Sequence, residues 1–117
     1  MTFVFYWRNW NGATVWQIDA SPDDVADVLR ILAEHIPNRE VWAFGSRVRK
    51  NAKKFSDLDL AIIGNEPLAD VVLADLNEAF RESNLPFKVD VIDWATAGDP
   101  FRRVIEEQYV VLHKARQ

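Results

Sequence analysis

The residues best placed to do chemistry lie between positions 45 and 59. Asp57-Leu58-Asp59 opens an apolar, β-rich run that continues to Ile63. On a strand, residues two apart project from the same face about 7 Å apart. Both carboxylates therefore share one side while Leu58 and Leu60 pack on the other. Held together without a cation they repel, and one must take up a proton. A hard divalent ion such as Mg²⁺ or Mn²⁺ removes that penalty. Two solvated aspartates at a strand start would read the same way, so the surroundings decide. Upstream, Gly45-Ser46 closes the apolar run Val41 to Phe44. A glycine after a strand lets the backbone approach a ligand closely, and Ser46 adds a hydroxyl beside free N–H groups at the start of a short helix. Such a turn can cradle phosphates. Between the two motifs lie Arg47, Arg49, Lys50, Lys53 and Lys54, five cations in eight residues. In another setting they would be a solvated loop. Here they can offset the charge of a triphosphate.

These residues need a scaffold, and the chain supplies one. Residues 3 to 18 carry Phe3, Phe5, Tyr6, Trp7, Trp10 and Trp16 around Asn11-Gly12, a tight-turn dipeptide, and read as a β-hairpin. Ser21-Pro22 caps a helix whose Val25, Val28, Leu29, Leu32, Ala33 and Ile36 recur at helical spacing and which must stop before Pro37. Val41 to Phe44 and Leu58 to Ile63 are two strands. After Pro67, the residues Leu68, Val71, Val72, Leu76, Ala79 and Phe80 define an amphipathic helix ending by Asn84 and Pro86. Phe87, Val89 and Val91 alternate with Lys88, Asp90 and Ile92 as in a half-buried strand. Asp99-Pro100 starts a last helix with Phe101, Val104 and Ile105 turned inward, and Tyr109 to Leu112 forms a terminal strand. The expected class is α/β or α+β, a mixed sheet flanked by helices with an extra N-terminal hairpin. It forms one domain over residues 1–117, with 1–19 as the hairpin extension and 20–117 as the core.

Composition narrows the function. The chain has 117 residues, 49% of them hydrophobic and 27% charged, enough for a single packed core. Its net charge of −4 argues against direct nucleic-acid or anionic-membrane binding, so any phosphate affinity is local. There is no cysteine, which removes disulfides and thiolate metal sites. No apolar run approaches the roughly 20 residues of a membrane span, and the start lacks a basic leader, so a cytoplasmic location is expected. His35 and His113 have no metal-ligand partner at suitable spacing. Trp42 and Trp94 are expected in the core.

Phe44-Gly45-Ser46-Arg47, followed by Ser56-Asp57-Leu58-Asp59-Leu60, resembles the signature of the polymerase β-like nucleotidyltransferase superfamily. It looks in particular like the minimal nucleotidyltransferase (MNT) branch, of HEPN/MNT antitoxin type. The resemblance extends over residues 22 to 112. It implies that fold, and a third carboxylate on a strand beside the Asp-x-Asp strand. Lys88-Val89-Asp90-Val91-Ile92-Asp93 offers two, of opposite parity. Asp90 is the choice, lying mid-strand as the family's third aspartate does, whereas Asp93 reads as a helix cap or a surface charge. The implied chemistry is two-metal phosphoryl transfer from ATP. Asp57, Asp59 and Asp90 would hold two Mg²⁺ ions, with Mn²⁺ as an alternative, while Gly45, Ser46 and Arg47 contact the nucleotide. A hydroxyl attacks the α-phosphorus, pyrophosphate leaves, and AMP stays on the acceptor. Many relatives have glycine where this chain has Lys50, which puts the loop's geometry in question. The MNT resemblance implies an acceptor on another protein, a tyrosine hydroxyl of a HEPN-domain ribonuclease toxin, with this chain as the antitoxin. Two other readings remain at this stage: an antitoxin that blocks its toxin by stoichiometric contact through the tryptophan-rich hairpin, and a transferase acting on a small molecule or an RNA end.

Overall fold

The computed structural model describes residues 5–8, 14–49 and 56–115, with side chains described for 18–48 and 56–115. Two short strands, β1 (Phe5–Arg8) and β2 (Thr14–Ile18), pair antiparallel as the hairpin pattern predicts. They form a sheet of their own rather than extending the main one. The Asn11-Gly12 turn and the side chains of Trp7, Trp10 and Trp16 lie outside the described residues.

Helix α1 (Pro22–His35) begins where the Ser21 side chain accepts a hydrogen bond from the Asp24 N–H at 3.1 Å, with proline in the first turn beside Asp23 and Asp24. A cap of this kind stabilises a helix by about 1 kcal/mol, and the two carboxylates suit the positive end of the helix dipole. The helix stops at Ile36, one residue before Pro37 removes the next donor. Strand β3 (Val41–Phe44) leads into Gly45 and the single-turn helix α2 (Ser46–Arg49). Strand β4 (Leu58–Ile62) runs antiparallel to β3, placing Phe44 beside Asp59. Helix α3 (Asp70–Arg81) then carries the chain across to β5 (Val89–Asp93), which lies parallel to β4. Joining two parallel neighbours requires a crossover of this length. A three-residue 3₁₀ turn (Trp94–Thr96), helix α4 (Asp99–Glu107) and strand β6 (Tyr109–His113) complete the chain. The main sheet has the order β5-β4-β3-β6, mixed as expected.

Strand alternation divides the interior into two parts. Leu58, Leu60 and Ile62 of β4 join Val28, Leu32, Leu76 and Phe80 from α1 and α3 in one large core. Phe44, Ala61 and Ile105 of α4 form a small cluster on the opposite face, bordered by Trp42, Ile63, Ile92 and Trp94. Expectations for three individual side chains fail here. Phe101 and Val104 of α4 are 39% and 51% exposed, because one buried position, Ile105, is all that this short helix commits to the core. Val71 is 65% exposed in the first turn of α3, while Leu76 and Phe80 further along bury. His113 is a connector at the end of β6, its Nδ1 lying 2.9 Å from the Arg39 carbonyl. Trp42 and Trp94 are half-buried and meet edge to face at 5.3 Å, and Tyr109 stacks on Trp42 at 3.9 Å.

Candidate active site

The Asp-x-Asp pair sits where its spacing predicts. Asp57 is exposed just before β4, and Asp59 is the second residue of the strand, its neighbours Leu58 and Leu60 both buried on the far face. The third carboxylate comes from the parallel partner. Asp90 is paired in register with Asp59 across β4 and β5, on the same face of the sheet, and is exposed. The crossover through α3 thus sets beside each other two aspartates that are 31 positions apart in sequence. Asp59 and Asp90 share a face, and Asp57 lies one residue before the strand. Among the described residues no three carboxylate or imidazole groups are already close enough together to hold one ion.

Asp93, the other carboxylate of the run, is engaged elsewhere. It is 8% exposed, accepts from the Leu68 N–H at 2.8 Å and from the Ala95 N–H at 3.2 Å, and so caps the 3₁₀ turn. Its carboxylate is engaged in joining β5 to the segment before α3. It is a cap, as one of the two readings expected.

Gly45 is the turn residue of the site. Its φ is +84°, a conformation glycine reaches without the steric cost other residues meet. A side-chain carbon at this position would collide with the Asp59 carboxylate oxygen Oδ2. The turn and the carboxylate are therefore in contact, and the absence of a side chain is what allows it. Ser46 follows as the first residue of α2, and the Val48 N–H donates back to the Gly45 carbonyl at 3.0 Å.

Arg47 departs from its expected place among the nucleotide contacts. It is only 4% exposed. Its Nε donates to the Ser56 carbonyl at 2.9 Å and its Nη1 to the Asp19 carbonyl at 2.6 Å, while the guanidinium lies 4.3 Å from the centre of the Phe87 ring. The Asp19 N–H in turn donates to the Arg47 carbonyl at 2.8 Å. Burial pushes the guanidinium pKa down, an effect opposed by the nearby charges of Asp19, Asp24 and Asp57. Sequence reasoning read an arginine beside a phosphate-type turn as a phosphate ligand. The direction in which a long side chain turns depends on Ser56, Asp19 and Phe87, which only the fold brings together. Lys50 and the rest of the basic run through Lys54 lie outside the described residues.

A cavity of about 500 Å³ opens between α3 and the edge strand β5. Asn77, Phe80, Arg81, Phe87, Lys88 and Asp90 contribute to its lining. No feature of the sequence signalled it, since it forms from the C-terminal half of a helix and a strand packed beside it.

A mixed sheet with helices packed on it, a glycine turn touching the first strand's aspartate and a second aspartate in register on the parallel neighbour define a nucleotidyltransferase of the polymerase β type. The chain belongs to that family: the family description "Polymerase beta, Nucleotidyltransferase" matches residues 27–117. Over 98 residues, 84% of this chain and 86% of the relative, it is 50% identical to "Probable protein adenylyltransferase MntA" of Haemophilus influenzae. The fold is likewise that of a toxin–antitoxin crystal structure with AMP-PNP, at a TM-score of 0.65 and 22% identity over 80% of this chain and 75% of that one. A second match is to a tri-AMPylated Shewanella oneidensis HEPN toxin in complex with MNT antitoxin. Its TM-score is 0.58, with 19% identity over 79% of this chain and 71% of that one. No helix among the described residues is long and apolar enough to cross a membrane.

Proposed function

We propose that this nucleotidyltransferase transfers AMP from ATP to a hydroxyl of a partner protein, and that it serves as the antitoxin to a HEPN-domain toxin in the cytoplasm. The observation that carries the reading is the register of Asp59 with Asp90 across two parallel strands, with Gly45 against the Asp59 carboxylate. The 50% identity to a protein named as an adenylyltransferase supports the choice of AMP and of a protein acceptor. The catalytic unit in this reading is residues 20–117, with 1–19 as an attached hairpin.

Asp57, Asp59 and Asp90 fit hard divalent cations, because all three are oxygen donors and Asp59 and Asp90 are adjacent like charges on one sheet face that a cation would neutralise. Two Mg²⁺ ions held there would supply Lewis-acid polarisation of the α-phosphate and offset the charge of the departing pyrophosphate. The backbone around Gly45 and the Ser46 hydroxyl bind the phosphates from the opposite side of Asp59. Asp90, at the outer strand and on the lining of the α3/β5 cavity, orients the incoming hydroxyl. The hydroxyl oxygen bonds to the α-phosphorus as the bond to the pyrophosphate oxygen breaks, and the hydroxyl proton passes to solvent or to a carboxylate.

The test is transfer of label from α-³²P-ATP to the co-purified partner in the presence of Mg²⁺. Labelled partner with the wild-type chain and none with Asp57→Asn is the expected result. Neutralisation of the toxin that survives intact in Asp57→Ala, with no label transferred, would falsify the enzymatic account. That outcome would favour a second reading, stoichiometric blockade, for which the exposed Phe101, Val104 and Tyr109 provide apolar surface.

A further inference from the structure

Arg47 is the residue of the signature whose position the proposed chemistry leaves unexplained. It is inside the protein, next to a turn whose function is at the surface. Two of its contacts lead to segments that carry the carboxylates, and its backbone belongs to the phosphate turn. The Nε bond ends on the carbonyl of Ser56, the residue immediately before Asp57. The ring beneath the guanidinium belongs to Phe87, three residues before Asp90 and at the entry of β5. Its own backbone belongs to α2, one residue after Ser46. The remaining bond anchors the group to Asp19 at the end of the hairpin, with the reciprocal Asp19 N–H to Arg47 carbonyl bond closing a pair.

We propose that Arg47 is a positioning residue that fixes the entries of β4 and β5 relative to the phosphate turn, and so sets how Asp57 and Asp90 meet a metal. The inference rests on the metal-binding role given above to the three aspartates. A guanidinium suits this task because its planar fork donates in several fixed directions while its face stacks on an aromatic ring. A lysine ammonium is a point charge on a flexible stem. It cannot reach both carbonyls in the same geometry, nor lie flat on Phe87. Ser56 is also the point where the chain returns from the segment that follows α2. Without the Nε bond, Asp57 would precede the strand with one fewer restraint on its backbone. Asp59 sits within the β3–β4 ladder.

The test needs no acceptor. Mn²⁺ binding is followed by electron paramagnetic resonance with saturating AMP-PNP, and AMP-PNP affinity is measured separately at saturating Mn²⁺. Loss of a group that orients metal ligands costs about tenfold to a hundredfold in metal affinity. Arg47→Lys is expected to weaken Mn²⁺ about tenfold while AMP-PNP affinity at saturating Mn²⁺ stays within about twofold. Phe87→Leu should shift Mn²⁺ in the same direction by less, Phe87→Tyr should restore it, and the Arg47→Lys/Phe87→Leu pair should be less than additive. A phosphate ligand would behave oppositely: AMP-PNP affinity would fall, Mn²⁺ affinity would hold, and Phe87→Leu would be silent. That pattern overturns the proposal, as does wild-type Mn²⁺ binding in Arg47→Lys. If Arg47→Lys does not fold, Phe87→Leu carries the test through the same two readouts. Asp57→Asn is the control: unaltered Mn²⁺ binding in it overturns the metal-site reading itself, whereas a weakened Asp57→Asn beside an unaffected Arg47→Lys overturns only the role of Arg47.

Discussion

The two faces of the main sheet are built to different specifications. On one, Leu58, Leu60 and Ile62 meet α1 and α3 in a continuous aliphatic core that includes fully buried Val28, Leu32 and Leu76. On the other, Phe44 and Ala61 meet Ile105 of α4 within a border of tryptophans and isoleucines, and Asp59 and Asp90 stand on that face. The first face is where stability resides, since fully burying a leucine or isoleucine stabilises the fold by about 1.5–3 kcal/mol. The second holds two acidic groups side by side, Asp59 and Asp90, and like charges directly opposite each other on a sheet disfavour folding. Consecutive residues of β4 belong to opposite specifications.

That contrast can be broken by changing neighbours along one strand. Asp59→Asn should lower adenylyl transfer by about a thousandfold or more, the several kcal/mol that a catalytic metal ligand supplies. Its thermal midpoint should hold or rise slightly, because a like-charge neighbour of Asp90 is gone. A large fall in the midpoint would mean that the carboxylate is structural after all. Leu60→Ala, one position on, should do the reverse: about 3 kcal/mol lost in urea denaturation, with turnover per folded molecule retained. On β5 the same test separates two aspartates. Asp93→Ala leaves the Leu68 and Ala95 N–H groups without their acceptor and should cost about 1–3 kcal/mol of stability while activity persists.

The smallest expected effect lies away from both faces. Arg81 holds the Glu78 carboxyl below its usual pKa through a 2.6 Å hydrogen bond on the surface of α3, with Glu82 adding to the effect. A carboxyl lowered by folding favours the folded state above its unfolded pKa, and that favour is lost as pH falls through the folded value. Glu78→Gln should therefore lower the midpoint slightly near neutral pH, and the difference from wild type should vanish in acid. The pair is exposed, so a difference that survived in acid would point to helix propensity instead of charge.

Most of the scaffold was legible because its signals are local. Ser21-Pro22 marks a helix start by capping chemistry, Gly45 marks a turn by its conformational freedom, and Leu58 and Leu60 share the buried face of β4 by the pleat alone. That Asp93 would be a cap was legible from its place at the strand end. What the sequence could not reveal depends on contacts between distant segments. The inward turn of Arg47 requires Phe87 and Asp19 to be beside it, and the exposure of Phe101 and Val104 depends on how little of α4 the sheet covers. The cavity beside Asp90 is likewise a product of packing, with residues from a helix and a strand that follow one another but face across a gap.

The parallel pairing of β4 with β5 has a bearing on when the molecule first becomes able to react. The β3–β4 pair closes within a short stretch of chain and brings the glycine turn to the first two aspartates. The third aspartate joins only after α3 has formed and crossed the sheet, a slower, long-range event. An unfinished chain on the ribosome, or a copy clipped within α3, therefore carries Gly45 and Asp59 without the Asp90 that pairs with Asp59. On the proposed site, competence appears only when the β4–β5 pair is complete.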